Sequence, residues 1–189
     1  MAPITCIDTM SLPTPEVESR TDNAHTSLIL ISGGSGFIGS HIVRVFLSAG
    51  YAVRAVVRSH SSAEKVLQSH PAYSNQLTFT IVPDITVAHA FDDAVRGVTR
   101  VIHSASPFIT TVTDNETELL LPAISGTTEI LRSVKDHAPQ VQHVVVTSSF
   151  AAANDFSQGL RPGYTYIEED WNPITYEAAK HANGQLAYG

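Results

Sequence analysis

The sequence predicts an α/β fold built on a doubly wound parallel sheet, and three observations carry that expectation. Short apolar runs alternate with stretches of helical periodicity about every 20 to 25 residues, the rhythm of repeated strand and crossover helix. A glycine-rich turn, GGSGFIG at 33–39, separates the first apolar run from the first helical stretch. The second run, YAVRAVVRS at 51–59, is apolar on both faces, as a strand covered by helices on two sides must be.

The elements follow in order. Residues 1–26 are rich in Pro, Ser, Thr, Asp and Glu with little periodic hydrophobicity, and are read as a flexible extension preceding a single domain over 27–189. LILIS (28–32) is the first strand. FIGSHIVRVFLSAG (37–50) carries Ile38, Ile42, Val45 and Phe46 at helical spacing and ends at Gly50, a C-terminal cap. After the strand at 51–59, SAEKVLQSH (62–70) reads as a helix, LTFTIVPD (77–84) as a third strand, and VAHAFDDAVRG (87–97) as a helix stopped by Gly97. TRVIHSA (99–105) is a fourth strand, 116–138 a long helix that Pro122 bends or starts, and VQHVVVTSS (141–149) a fifth strand. The stretch 150–175 has no clear period, and a helix is expected to begin near Ile174. Right-handed crossovers then give the order 3-2-1-4-5, a Rossmann-like arrangement with ligands at the carboxyl ends of the strands.

Composition narrows the function. A chain of 189 residues, 43% hydrophobic, can bury a sizeable core. Its formal charge of −7 argues against nucleic acid and anionic membranes as partners, since both demand a basic face, and leaves a small molecule. The one cysteine, Cys6, cannot form an internal disulfide, and the nine histidines are scattered without metal-site spacing, so no metal is expected. No apolar run reaches the ~20 residues of a membrane span. The N-terminus lacks the basic and apolar segments of a signal peptide, so a cytoplasmic location is expected. Oligomeric state is left open.

Gly33, Gly36 and Gly39 form GxxGxxG. Gly33 permits the tight turn, Gly36 lets backbone approach a pyrophosphate, and Gly39 lets the helix pack close to the sheet, while the helix N-terminus offers amide donors. An acidic residue closing the second strand would hold the ribose of NAD. Arg58 stands there instead and would meet the phosphate of NADP, unless it is an ordinary exposed cation.

The segments ISGGSGFIGSHIV, VVRS, VPDIT, VIHSASPF, LLLPAISGT, HVVVTSSFAA and EEDWNP, taken in this order, resemble the extended short-chain dehydrogenases/reductases. Within them the likeness is to fungal NADPH-dependent aldehyde/ketone reductases of the methylglyoxal and isovaleraldehyde reductase kind, related to dihydroflavonol and cinnamoyl-CoA reductases. It covers 28–189. The resemblance implies that Gly33, Ser35, Gly36, Phe37 and Ile38 line the pyrophosphate turn and that Arg58 takes the 2′-phosphate. It implies further that Asp84 and Ile85 flank the adenine, and that Ser104, Ala105 and Ser106 border a ribose. Thr147 and Ser148 would lie near the nicotinamide, and Phe108 would face a small carbonyl substrate. Relatives often carry a lysine four residues after the arginine, where this chain has Ser62 with Lys65 nearby.

The implied chemistry is hydride transfer to a carbonyl carbon. A serine orients the carbonyl, and a tyrosine, made acidic by a lysine four residues on, protonates its oxygen. Ser149 matches the serine. Tyr176 and Lys180 satisfy Y-x-x-x-K literally but directly follow WNPIT. Tyr188 stands where the family's catalytic tyrosine falls and is assigned that role, in contact with the cofactor as well. Tyr176 and Lys180 are then read as solvated first turns of a helix. The lysine expected after Tyr188 would fall beyond Gly189, so the resemblance implies an N-terminal portion that lacks the later strands and most of the substrate domain. Two other readings stay open: a non-catalytic dinucleotide-binding or regulatory module, and an NAD-dependent epimerase or dehydratase of the same superfamily.

Overall fold

The computed structural model describes residues 27–107, 112–159 and 161–182. Five parallel strands, β1 (Leu28–Ser32), β2 (Ala52–Val57), β3 (Leu77–Ile81), β4 (Arg100–His103) and β5 (His143–Val146), lie in the order β3-β2-β1-β4-β5, as expected. Successive side chains of a strand face opposite ways, so β1 feeds two cores. Ile29 and Ile31 pack with Val43 and Leu47 of helix α1 (Phe37–Ser48) and Val66 of helix α2 (His60–Ser69). Leu30 packs on the other side with Phe91, Val95 and Ile130, the last from helix α3 (Leu121–His137). The crossovers thus change faces between β1 and β4. Ser32 pairs with Val56 on one side and His103 on the other, which brings the strand ends into line there.

Capping chemistry sets the helix limits. Tyr51 N–H donates to Phe46 O at 3.1 Å and Gly50 N–H to Leu47 O at 3.0 Å, a Schellman closure that Gly50 permits with φ +86°. Helix α2 starts two residues before the expected position because the Ser59 hydroxyl accepts from Ser62 N–H at 3.3 Å. Pro122 lies in the first turn of α3, and a single wide π turn (Glu116–Leu120) precedes it, so the proline marks the start of regular helix. The last helix among the described residues, α4 (Tyr176–His181), is capped by the Thr175 hydroxyl, which accepts from Ala178 N–H. β2, β3, β4 and β5 are each shorter than expected, and β5 is the edge strand among the described residues.

The segment 87–97 is a series of turns rather than the expected α-helix. Its apolar residues do what their spacing implies, with Phe91, Ala94 and Val95 fully buried. Its backbone obeys other partners. His89 has φ +67°, and its N–H donates to Glu129 Oε2 at 3.3 Å. Arg54 of β2 donates to the carbonyls of both Ala94 and Arg96 at 2.7 Å, and Gly97 ends the segment at φ +74° as expected. Tertiary bonds override a helical pattern that a single strand of sequence displays well.

Asp92 anchors this segment to α3. The Ser133 hydroxyl donates to its Oδ1 at 2.6 Å, while His89 Nδ1 and His137 Nε2 lie 3.0 and 3.1 Å from its Oδ2. The Ser133 bond, more than the histidines, holds the Asp92 carboxyl below its ordinary range. A depressed carboxylate contributes stability that is fully present above its unfolded pKa of about 4 and is lost as pH falls through the folded value. Asp92→Asn is therefore expected to lower the melting midpoint at neutral pH and to flatten its fall on acidification below about pH 4. Thermal melts of both proteins across that range check this; parallel curves would contradict it.

Candidate functional site

The glycine turn leaves β1 with Gly33 at φ +71°, closed by Gly36 N–H donating to Gly33 O at 2.9 Å. A Cβ at Gly33 would lie 3.0 Å from Ala105 N, so this turn and the loop after β4 touch backbone to backbone. Gly39 is corrected in one respect. A Cβ there would lie 2.0 Å from the oxygen and 2.7 Å from the carbon of the Gly33 carbonyl, so this glycine packs α1 against the turn itself rather than against the sheet. Gly36 is the N-cap of α1, with no side chain bonded over the first turn and no acidic residue within it. The helix start is left as a set of amide donors with a positive end, suited to an anion.

Ser32, buried at the end of β1, was not foreseen. Its oxygen accepts from Ser104 N–H at 3.0 Å and Ala105 N–H at 3.1 Å, and lies 2.9 Å from His103 Nδ1. With both lone pairs occupied, the hydroxyl must donate its proton to Nδ1. His103 Nδ1 then accepts and the ring proton falls on Nε2, while burial lowers the pKa of the ring. The 104–106 loop is thereby pinned beside the glycine turn. The signal was a serine closing an otherwise apolar strand.

A cleft of about 620 Å³ opens along these strand ends, within the usual range for small-molecule sites. Its lining includes Gly33, Ser35 and Gly36 of the glycine turn, Arg58 after β2, Asp84 and Ile85 after β3, and Ser104, Ala105 and Ser106 after β4. Nine of the residues expected to bind a dinucleotide are thus brought together. Val56, Val57, Val82, Pro83, Thr86, Pro107, Glu118 and Pro122 complete the lining and were not singled out from sequence. Asp84 Oδ1 accepts from Thr86 N–H and Oγ1–H at 2.8 and 2.7 Å, which depresses its pKa and leaves Oδ2 for a ligand. Both Glu118 oxygens are taken by Thr113, from its hydroxyl at 2.7 Å and its N–H at 3.0 Å. Arg58 is the cation among the described lining residues.

The other expected site residues stand apart from this lining. Phe37 and Ile38 are 85% and 62% exposed on the first turn of α1. Thr147 bonds to His103 O through its N–H at 2.9 Å and its hydroxyl at 3.2 Å, which continues the line of β5, and Ser148 is exposed beside it. The Ser149 oxygen accepts from Ala151 N–H at 3.2 Å, capping a short turn (Phe150–Ala152) and leaving its proton to donate. Phe108 and Tyr188 lie outside the described residues.

Tyr176 and Lys180 do come together, on a carboxylate. The Tyr176 hydroxyl donates to Glu116 Oε1 at 3.0 Å and Lys180 Nζ to Glu116 Oε2 at 2.7 Å. Asn115 Nδ2 adds bonds to the carbonyls of Ala179 and Ala182 at 3.1 and 2.6 Å, so the π turn before α3 grips α4. Partial desolvation, followed by the Glu116 bond, raises the Tyr176 phenol, and the same carboxylate raises the Lys180 ammonium. The charged lysine is paired with Glu116 rather than turned on the phenol, and Tyr176 stays exposed on the first turn of α4 while its hydroxyl and Lys180 hold α4 to the π turn.

The long connection 150–175 is also held by specific contacts. Arg161 stacks 3.3 Å above the Tyr164 ring, Tyr164 donates to Asp170 Oδ1 at 2.7 Å, and Tyr166 donates to the buried Asn154 at 2.6 Å. The aromatic residues at 150, 164 and 166 pack edge to face.

Comparison with known proteins adds four likenesses. A model of the NAD dependent epimerase/dehydratase family matches residues 29–188. A Schizosaccharomyces pombe protein named only as an uncharacterised oxidoreductase is 41% identical over 163 residues, covering 85% of this chain and 48% of its own length. The NADPH-dependent methylglyoxal reductase GRE2 of Saccharomyces cerevisiae is 38% identical over 159 residues, covering 80% of this chain and 46% of its own. The crystal structure of yeast methylglyoxal/isovaleraldehyde reductase complexed with NADPH superposes at a TM-score of 0.77 and 35% identity, over 85% of this chain and 47% of that one. The chain spans about half the length of the curated relatives it matches.

Proposed function

The chain belongs to the NAD dependent epimerase/dehydratase family, and from that premise we propose that residues 27–189 carry the dinucleotide-binding part of an NADPH-dependent reductase of aldehydes or ketones. The observation that carries the reading is the cleft at the strand ends, whose lining includes both the glycine turn at a bare helix N-terminus and Arg58. The residues present fit the cofactor. A Cβ at Gly36 would meet only the Gly33 oxygen, at 3.2 Å, so backbone at this point stays open to a close-lying phosphate. The relatives' dependence on NADPH and the cleft's chemistry support the same choice.

When bound, the reduced nicotinamide supplies a hydride. The backbone of Gly33, Ser35 and Gly36 would hold the pyrophosphate, Arg58 the 2′-phosphate, Asp84 and Ile85 the adenine, and Ser104 to Ser106 a ribose. Thr147 and Ser148 would border the nicotinamide and Phe108 the substrate. Ser149, with its oxygen already accepting from Ala151, is disposed to donate to a carbonyl oxygen and orient it. Tyr188 would deliver the proton. Aldehydes and ketones are the proposed substrates.

Cofactor choice tests the reading. The chain should bind NADPH at least about tenfold more tightly than NADH, since a charge-assisted bond to phosphate contributes about 1.5–3 kcal/mol. Arg58→Ala should reduce that preference to about threefold or less while leaving NADH affinity nearly unchanged. Titration calorimetry with both dinucleotides decides it. Equal affinities in the parent chain, or no binding of either, would overturn the proposal.

A further inference from the structure

Gly126 lies inside α3, fully within a run of regular helix, where glycine is unfavourable relative to alanine. It has neither a positive φ nor a turn to explain it. What it has is a neighbour: a Cβ at 126 would lie 2.9 Å from Ile85 Cδ1 and 3.2 Å from Ile85 Cγ1. Ile85 is half-buried between two surroundings. Inward it packs on the core of Leu30, Phe91 and Ile130, and outward it lines the cleft beside Asp84.

We propose that Gly126 is a positioning residue for the dinucleotide cleft: the space left by its missing side chain holds the Ile85 side chain back and so sets the position of the wall against which an adenine would lie. The inference rests on the dinucleotide reading given above and adds a residue to it that touches no ligand. Interiors are packed too densely to absorb a methyl group without a shift. The conflicting atom is the free end of a flexible side chain rather than backbone, so the least costly response is rotation of Ile85. Core atoms block it on the inner side, and the cleft is the open direction. A methyl group at 126 therefore narrows the cleft while the helix itself gains propensity.

This separation of effects makes the test sharp. The probes are adenosine 2′,5′-bisphosphate, which carries no nicotinamide, and NADPH, each titrated into the 189-residue chain and its Gly126→Ala, Ile85→Val and double variants, with melting midpoints measured alongside. Gly126→Ala is expected to weaken both probes by about tenfold with its midpoint unchanged or raised. The double variant, which removes Cδ1, should bind within about twofold of Ile85→Val alone. Unchanged affinity in Gly126→Ala refutes the inference. So does a lowered midpoint that Ile85→Val restores with no change in affinity, since that would make the glycine a packing residue only. If the parent chain binds neither probe, the dinucleotide reading itself fails and this inference falls with it.

Discussion

Gly39→Ala is expected to weaken dinucleotide binding by up to about a hundredfold and to lower the melting midpoint by up to roughly 6–12 °C, the equivalent of about 3 kcal/mol in a chain of this size. The new methyl group would lie 2.0 Å from the Gly33 oxygen, 2.7 Å from its carbon and 3.2 Å from Gly34 Cα. All three are backbone atoms, so no side-chain rotation relieves the overlap. Either α1 withdraws or the turn opens, and both break the 2.9 Å bond from Gly36 N–H to Gly33 O that orders the amides facing the cleft. About 3 kcal/mol, if it falls on the binding geometry, is a loss of about a hundredfold in affinity.

Two other glycines serve as internal controls. At Gly50 a Cβ meets nothing within 4 Å, so Gly50→Ala carries only the penalty of φ +86°, about 1–2 kcal/mol, and should melt earlier while binding normally. Gly97, at φ +74° with the same open surroundings, should behave likewise. Calorimetry and thermal melts on the three variants form one experiment. Normal binding by Gly39→Ala would show that the turn does not hold the ligand, and a binding loss in Gly50→Ala would show that the effect is not local.

What could be read from the sequence, and what could not, follows from the range of the interactions involved. The strand order needed only the alternation of strand and helix patterns and the handedness of crossovers, both local signals. The glycine turn was legible for the same reason, and so was the C-cap at Gly50. Residues 87–97 were misread because their helical spacing is real and sufficient for burial, while the bonds that displace the helix come from Arg54 and Glu129, about 40 positions away on either side. The contact of Gly39 with the Gly33 carbonyl depends on the exact angle at which α1 leaves the turn, which spacing does not encode. Ser32 could have been noticed, because a hydroxyl at the buried end of a strand must find partners. Gly126 and Ile85, 41 residues apart, could not.

Neither variant of the literal Y-x-x-x-K pair, Tyr176→Phe or Lys180→Met, should change kcat more than about threefold in a version of the chain continued over the length of its relatives, whereas Tyr188→Phe and Ser149→Ala should each cost about 10²–10⁴. The argument turns on Glu116. A tyrosine that works as an acid near neutral pH needs a cation to favour its phenolate. Tyr176 instead is partly desolvated and donates to a carboxylate, both of which favour the neutral phenol and raise its pKa, and Lys180 is bound to the same carboxylate at 2.7 Å. Freeing Lys180 means breaking its bond to a carboxylate whose own pKa is depressed first of all by that lysine. Glu116→Gln weakens this contact, so its signature belongs to docking: a lower melting midpoint, with no gain or loss of turnover beyond the loss of folded protein. The opposite pattern, turnover that survives Tyr188→Phe and disappears with Lys180→Met, would mean that α4 swings away from Glu116 in the working enzyme and that the literal pair does the chemistry. Steady-state reduction of a short aldehyde by NADPH, followed for all five variants, separates the two.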